Sequence, residues 1–341
     1  MDEARDFADK DAHDGRKMLA GAACWTLTDG KAGDEAPCLG LAQALGLAVV
    51  KRVVRPRALF AAFAPRGPID PKESPDAPGS PIARPFPEIL IACGRRAVPY
   101  LRHVRRASGG RTFTVFLKDP RINPAVADVV WAAEHDRLRG DNVIATRMAP
   151  HLVTKEAIDS AHRNIDPRIA RLPEPRTALL VGGDSRHHLF RDSDCAALVG
   201  IIENMILTGD SVMITPSRRT PPRLYARLRE VCAGVSRRTF LWDGTGDNPY
   251  IQMLAHARAI VVTADSTNMV GEAIATDAPV MIFTPSGGHA RLSRMIDNLV
   301  EDGRVREWRG RLENWQCSPL DDTRTIADEI ARRYAIFKNR G

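Results

Sequence analysis

Two successive series of short apolar runs, each run followed by a helix-length segment, constrain this chain more than any other feature. The first series places β-type runs at 22–28, 47–54, 88–92, 112–117, 126–131 and 143–145, with helical patterns at 36–45 and 96–107. A Pro-bearing stretch at 172–175 interrupts it. The second series then begins, with runs at 178–181, 211–215, 240–242, 259–263 and 279–283 and helical patterns at 195–207, 222–231, 250–257, 267–275, 292–302 and 326–337. Strands alternating with helices of this length imply parallel sheets covered by helices on both faces. The expected fold class is therefore α/β, with two Rossmann-like domains whose parallel sheets face each other across a cleft. The expected boundaries are a disordered charged tail over 1–17, an N-terminal domain over 18–172 and a C-terminal domain over 173–320.

Composition narrows the function. The net charge of +7 suits anionic ligands such as nucleotides and phosphates. Aromatic residues are 6% of the chain and are not interleaved with a basic run, so no nucleic-acid partner is expected. The six cysteines, Cys24, Cys38, Cys93, Cys195, Cys232 and Cys317, form no CxxC pair and sit mostly in apolar segments. That pattern fits reduced, buried thiols of a cytoplasmic protein and no zinc site. The charged N-terminal residues lack a signal-peptide core, and no stretch approaches the ~18 apolar residues of a membrane span. Peripheral contact with an inner membrane stays open. The Pro-, Gly- and Ser-rich segment 65–87 and the basic helix 95–106 are candidate contact regions.

In open parallel sheets ligands bind beyond the carboxyl ends of strands, where free N–H groups and the helix dipole favour an anion. After the first strand comes Thr28-Asp29-Gly30-Lys31-Ala32-Gly33-Asp34-Glu35. It has neither GxGxxG nor GK[ST], which argues against nicotinamide-dependent and P-loop chemistry. Asp29, Asp34 and Glu35 are candidates for a general base, with helix capping as the plainer role, above all for Glu35. Cys93-Gly94-Arg95-Arg96 follows the third strand and suits a phosphate or carboxylate, or equally a solvated helix start. Lys118-Asp119-Pro120-Arg121 marks a cleft edge.

In the second series Gly182-Gly183-Asp184-Ser185 follows an apolar strand and could lay bare backbone against a phosphate. Asp192-Ser193-Asp194 has the letters of a metal-binding DxD, yet it precedes a helix, where capping is favoured. His187 and His188 are adjacent and would point apart, which argues against a metal site. Ser217 and an arginine within Thr215-Pro216-Ser217-Arg218-Arg219-Thr220 could clamp a diphosphate, or the segment could simply turn. At Val262-Thr263-Ala264-Asp265-Ser266-Thr267-Asn268 a strand meets a helix start, and Glu272 lies farther along that helix. The N–H groups of Ser266, Thr267 and Asn268 suit a phosphate, and the Glu272 carboxylate suits ribose hydroxyls. The plainer alternative is a cap at Asp265 or Ser266 with Glu272 exposed to solvent.

Taken together, TLTDGKAGDEAPCLGLAQALG, LIACGRRAVPYL, LLVGGDSRHH, ITPSRRTP and VVTADSTNMVGEAIATDAPVMIF resemble the plant "elongated mitochondria" fission family and its bacterial homologues, from about Cys24 to Trp315. That family is similar in organisation to GT-B glycosyltransferases. The resemblance implies a nucleotide-sugar donor site lined by Gly182, Gly183, Ser185, Ser217, Arg218, Asp265, Ser266, Asn268 and Glu272. It implies an acceptor side at Asp29, Gly30 and Asp34, to which Gly94 and Arg95 also belong, and a final helix, 321–341, returning toward the N-terminal domain. The implied function is metal-independent transfer of a sugar to a cell-envelope or lipid-linked acceptor. Asp29 or Asp34 would be the base, and no cofactor is needed beyond the nucleotide-sugar substrate. A non-catalytic adaptor of the fission-family type, acting through protein or membrane contacts, is the second reading. A nicotinamide-dependent epimerase or reductase ranks last.

Overall fold

Apolar runs without polar interruption form strands buried on both faces. In the computed structural model, which describes residues 13–339, such strands form the interior of two six-stranded, all-parallel sheets, one in each of two compact units, while the edge strands are more polar and exposed. The first unit runs to Leu152 and resumes at Asp322; the second spans Val153–Asp321.

The first unit contains a helix over 13–19 (α1), β1 (Ala23–Thr28), α2 (Ala32–Ala44), β2 (Ala48–Val53), α3 (Ala58–Phe63), β3 (Ile89–Cys93), α4 (Val98–Ala107), β4 (Phe113–Leu117), β5 (Val129–Ala133), β6 (Val143–Thr146) and the C-terminal helix Asp322–Lys338. The two-residue period of a strand divides the side chains cleanly. Ile89, Ile91 and Cys93 of β3 join Cys38 and Leu41 of α2 and Ile326, Ile330 and Tyr334 of the C-terminal helix in one core. Leu90 and Ala92 join Val98, Leu101 and Val104 of α4 in the other.

The second unit contains α5 (Lys155–Arg163), α6 (Pro167–Ala170), β7 (Arg176–Val181), α7 (Asp192–Leu207), β8 (Ser211–Pro216), α8 (Pro222–Gly234), β9 (Thr239–Leu241), α9 (Tyr250–Ala255), β10 (Ala259–Thr263), α10 (Thr267–Ile274), β11 (Val280–Phe283), α11 (Ala290–Glu301) and β12 (Val305–Glu307). Leu179, Val181, Val212 and Ile214 pack under α7 and α8 through Leu198, Ile202, Leu224 and Leu228.

The strand orders are β2-β1-β3-β4-β5-β6 and β12-β11-β10-β7-β8-β9. In each sheet the chain leaves its first strand to one side and later returns on the other. Each unit therefore has one switch point, between β1 and β3 in the first and between β7 and β10 in the second. At such points the loops diverge and leave a crevice at the carboxyl edge.

Three expectations are corrected. The tail expected over 1–17 lies outside the described residues as far as residue 12. Residues 13–17 are helical, because Leu19 is buried and Arg16 pairs with Asp328 of the C-terminal helix at 2.6 Å. Residues 153–172 belong to the second unit rather than the first. The Gln252 side chain accepts from the Asp166 N–H at 3.1 Å and donates to the Asn164 carbonyl at 2.8 Å, tying α5 and α6 to α9. Finally, α3 and β12 have no counterpart among the expected elements. ALFAAF carries no polar residue to set a period, and VRE is too short to show one.

Candidate functional site

At the first unit's switch point the loop after β1 turns at Gly30, whose φ of 82° is disfavoured for residues with a side chain. The Gly30 N–H donates to Thr28 Oγ1 at 3.1 Å. The side chain of Asp29 is only 3% exposed. One carboxylate oxygen, Oδ2, takes Lys31 Nζ at 2.6 Å and Arg96 Nη1 at 3.7 Å. The other, Oδ1, is buried and accepts no hydrogen bond.

Asp34, in the first turn of α2, is held differently. Lys118 Nζ and the Cys93 thiol both donate to its Oδ1, the thiol at 3.4 Å. The Lys118 ammonium also donates to the Gly33 carbonyl at 2.9 Å. That carbonyl stands four residues before Pro37, which lies inside α2 and has no N–H to offer it. A proline in the helix thus frees an acceptor for a lysine brought over from the end of β4. Gly94 has a φ of 94°, and a Cβ there would stand 2.8 Å from Asp34 Oδ2. Arg95 faces away from the crevice, donating to the carbonyls of Ala64 and Ala61 at 2.9 and 3.1 Å. Asp34 is thus held in an internal ion pair, and Arg95 braces α3.

The second unit's switch point gathers Gly182, Gly183, the 217–220 turn and Asp265, but they bind one another. The Gly182 N–H donates to Thr263 Oγ1 at 2.8 Å, and the Gly183 N–H to Asp265 Oδ2 at 2.9 Å. The Asp265 carboxylate is fully buried; it also accepts from Thr263 Oγ1 at 2.7 Å and pairs with Arg219 Nη2 at 2.8 Å. A Cβ on Gly182 would stand 2.2 Å from Asp265 Oδ1, and one on Gly183 would stand 2.0 Å from the Arg219 backbone. The glycine pair is small because the protein itself fills the space expected for a phosphate. Ser185 closes its own turn, its Oγ accepting from the His187 and His188 N–H groups at 3.2 and 3.1 Å. Ser217 caps the next turn, its Oγ accepting from the Arg219 N–H at 3.1 Å.

The other expected donor-side groups lie on Arg218 and along α10. Arg218 is exposed and makes no polar contact with the described residues. Ser266 is the N-cap of α10, accepting from the Met269 N–H at 3.4 Å, and Asn268 lies in that helix's first turn. Glu272 is half-buried on α10 and accepts a hydrogen bond from Tyr250 Oη at 2.7 Å. Burial pushes its carboxyl up to about 7, against the lowering effect of the Tyr250 bond. Solvent exposure, the plainer expectation for Glu272, does not hold.

Asp194 accepts from the Arg191 N–H at 2.7 Å, closing a cap at the start of α7. The His187 ring rests 4.4 Å from that of His289, while His188 is buried. Sequence reasoning offered Arg219 only as one of two possible diphosphate clamps and gave no role to Thr263 or Tyr250, because each acts through a contact between distant segments. Lys118 carried a legible sign in Pro37.

Among the described residues no helix is long and apolar enough to cross a membrane. All six cysteines are unpaired, five of them buried.

A protein-family profile described as "Mitochondrial fission ELM1" matches residues 32–334. The "Mitochondrial fission protein ELM1" of Arabidopsis thaliana is 28% identical over 73% of this chain and 64% of its own length. An uncharacterized protein of Rickettsia prowazekii (strain Madrid E) is 31% identical over 48% of each chain. The match thus spans less than two thirds of either relative. Among solved structures, the UDP-GlcNAc 2-epimerase of Neisseria meningitidis bound to UDP-GlcNAc is similar at a TM-score of 0.48 and 10% identity, covering 92% of this chain and 99% of the other. With the profile extending from the start of α2 into the C-terminal helix, this chain belongs to the Mitochondrial fission ELM1 family.

Proposed function

We propose that the second unit binds the nucleotide part of a nucleotide-sugar and that the protein is a metal-independent glycosyltransferase with a lipid-linked or cell-envelope acceptor. The observation that carries this reading is Glu272, a half-buried carboxylate fixed by Tyr250 on the helix whose capped N-terminus stands beside the β7–β10 switch point. Oε2 is occupied by Tyr250, which leaves Oε1 for a ribose hydroxyl. The α10 N-terminus and the unpaired Arg218 supply positive potential for a departing diphosphate. On the first unit, Asp29 is the base: Lys31 and Arg96 meet only its Oδ2 and its Oδ1 has no donor, whereas Asp34 Oδ1 takes two donors from the interior, Lys118 and the Cys93 thiol. In the reaction the acceptor hydroxyl oxygen bonds to the anomeric carbon, the bond from that carbon to the diphosphate breaks, and Asp29 takes the proton.

A thermal-shift panel of nucleoside diphosphates and nucleotide-sugars tests this. One ligand is expected to stabilise the chain by about 2.7 kcal/mol at ~100 times its dissociation constant, with the effect lost in Glu272→Ala. If no nucleotide shifts the midpoint, or Glu272→Ala responds like the wild type, the assignment fails. The second reading, an adaptor without catalysis, is favoured by the self-occupied glycine loop, where Asp265 has taken the N–H that a phosphate would need. An adaptor would bind nucleotide without hydrolysing any nucleotide-sugar, or bind none.

A further inference from the structure

From Ala36 to Ile69 the chain has no Asp or Glu but five basic residues, Lys51, Arg52, Arg55, Arg57 and Arg66. Within that stretch α3 reads ALFAAF and carries Leu59 and Phe63 four residues apart, hence on one helical face. They are 64% and 62% exposed. Of the aromatic residues among the described residues, Phe63 is the one that stands exposed.

Isolated exposed apolar side chains are ordinary on protein surfaces. These two differ because the backbone beneath them is clamped at both ends. At the N-terminal end, the buried Asp70 carboxylate takes the Arg57 guanidinium at 2.7 Å and the Arg57 N–H at 2.9 Å. At the C-terminal end, Arg95 donates to the carbonyls of Ala61 and Ala64, and Arg102 to those of Arg66 and Gly67. A six-residue helix has too few internal bonds to persist alone, so these clamps hold its outer face in place. Lys51, Arg55 and Arg66 flank it in sequence, are exposed, and make no ion pair with the other described residues.

We propose that α3 docks this protein onto an anionic lipid surface. Leu59 and Phe63 enter the boundary between headgroups and acyl chains, while Arg55, Arg66 and Lys51 meet lipid phosphates. The charge selects this occupant. A second copy would bring two like-charged patches together, and a nucleic acid would leave Leu59 without an apolar partner. The proposal stands on α3 and its clamps and is independent of nucleotide binding. It has one consequence for the acceptor: Arg95, which holds α3, directly follows Gly94 of the β1–β3 switch point, so a lipid-borne molecule would arrive beside that crevice.

The test is co-sedimentation of the full chain with vesicles of phosphatidylcholine alone and of phosphatidylcholine and phosphatidylglycerol in equal parts. The wild type is expected to sediment with the anionic vesicles and to be released by salt. Leu59→Ser with Phe63→Ser is expected to bind at least about tenfold more weakly, with circular dichroism and unfolding midpoint unchanged. Arg55→Gln or Arg66→Gln should each weaken binding about fivefold. Leu207→Ser, at an 86%-exposed position of the second unit, should bind like the wild type. Failure of the wild type to sediment, or wild-type binding by the double serine variant, overturns the proposal. So does a concentration-dependent dimer in sedimentation velocity that the double variant lacks, which would assign the face to a second copy.

Discussion

The two switch points share a topology and differ in how their polar groups are spent. Between β7 and β10, Asp265 reaches the Gly183 N–H, takes the Thr263 hydroxyl and pairs with Arg219, so the crevice closes on itself. Between β1 and β3, Asp29 Oδ1 is buried without a donor, while Lys31 and Arg96 approach only the other oxygen. A buried acceptor left unmatched costs free energy that a ligand can recover. The glycine loop of the second crevice therefore contributes mainly to stability and leaves ligand contacts to Arg218, the α10 N-terminus and Glu272, whereas the first crevice keeps a buried acceptor unmatched.

Glycine substitution should separate the two most sharply. Gly183→Ala forces a Cβ to within 2.0 Å of the Arg219 backbone and is expected to cost about 3 kcal/mol of unfolding free energy. Gly30→Ala meets only Val53 Cγ1 at 3.3 Å, at a φ of 82°, and is expected to cost about 1 kcal/mol. Equal losses in urea unfolding would erase the distinction between a filled crevice and an open one.

Next in size are the carboxylates. Asp265→Asn places an amide among donors and is expected to destabilise by about 2 kcal/mol. Asp29→Asn loses the charge pairing of two exposed cations, Lys31 and the more distant Arg96, and should stay within about 1 kcal/mol of the wild type. If Asp29 is the base, the same variant lowers transfer at least about 100-fold, measured as product formed per enzyme. A stable Asp265→Asn, or a fully active Asp29→Asn, would reverse the roles given to the two sites.

The smallest expected effect is a pH dependence confined to the second unit. The Glu272 carboxyl lies at about 7 in the folded chain, above its ordinary value of 4.5, with burial as the main cause. Between those values the folded state holds the proton more tightly than the unfolded state. Stability should therefore fall as pH rises from about 4.5 to about 7, by on the order of 1–2 kcal/mol, and level off above. Thermal midpoints at about pH 5 and pH 8 should show this slope reduced in Glu272→Gln relative to the wild type. Nucleotide affinity should move the opposite way if the carboxylate accepts ribose hydroxyls, strengthening as pH rises through about 7 and the group ionises. Affinity that weakens across that range would mean the protonated acid is the binding form.

Local patterning was enough to place the long helices and, among the described residues, every strand but the three-residue β12. An apolar run such as Ile89–Cys93 carries no polar period, but its five-residue length and its flanks at Pro87-Glu88 and Gly94 mark a strand buried on both faces. The same local reading places Asp194 at a helix start and Gly30, Gly94 and Gly182 just beyond strand ends. It does not reveal what those glycines meet. Gly182-Gly183 would read identically whether its bare face held a phosphate or the Asp265 carboxylate, which lies more than eighty residues away in sequence. Likewise Arg218 and Arg219 are indistinguishable as letters, and only the fold turns one onto Asp265 and leaves the other exposed. Burial of a run depends on its own residues, so the sequence determined the framework. The partner of each polar group depends on which distant loops the sheet order brings together, and only the tertiary structure decided that.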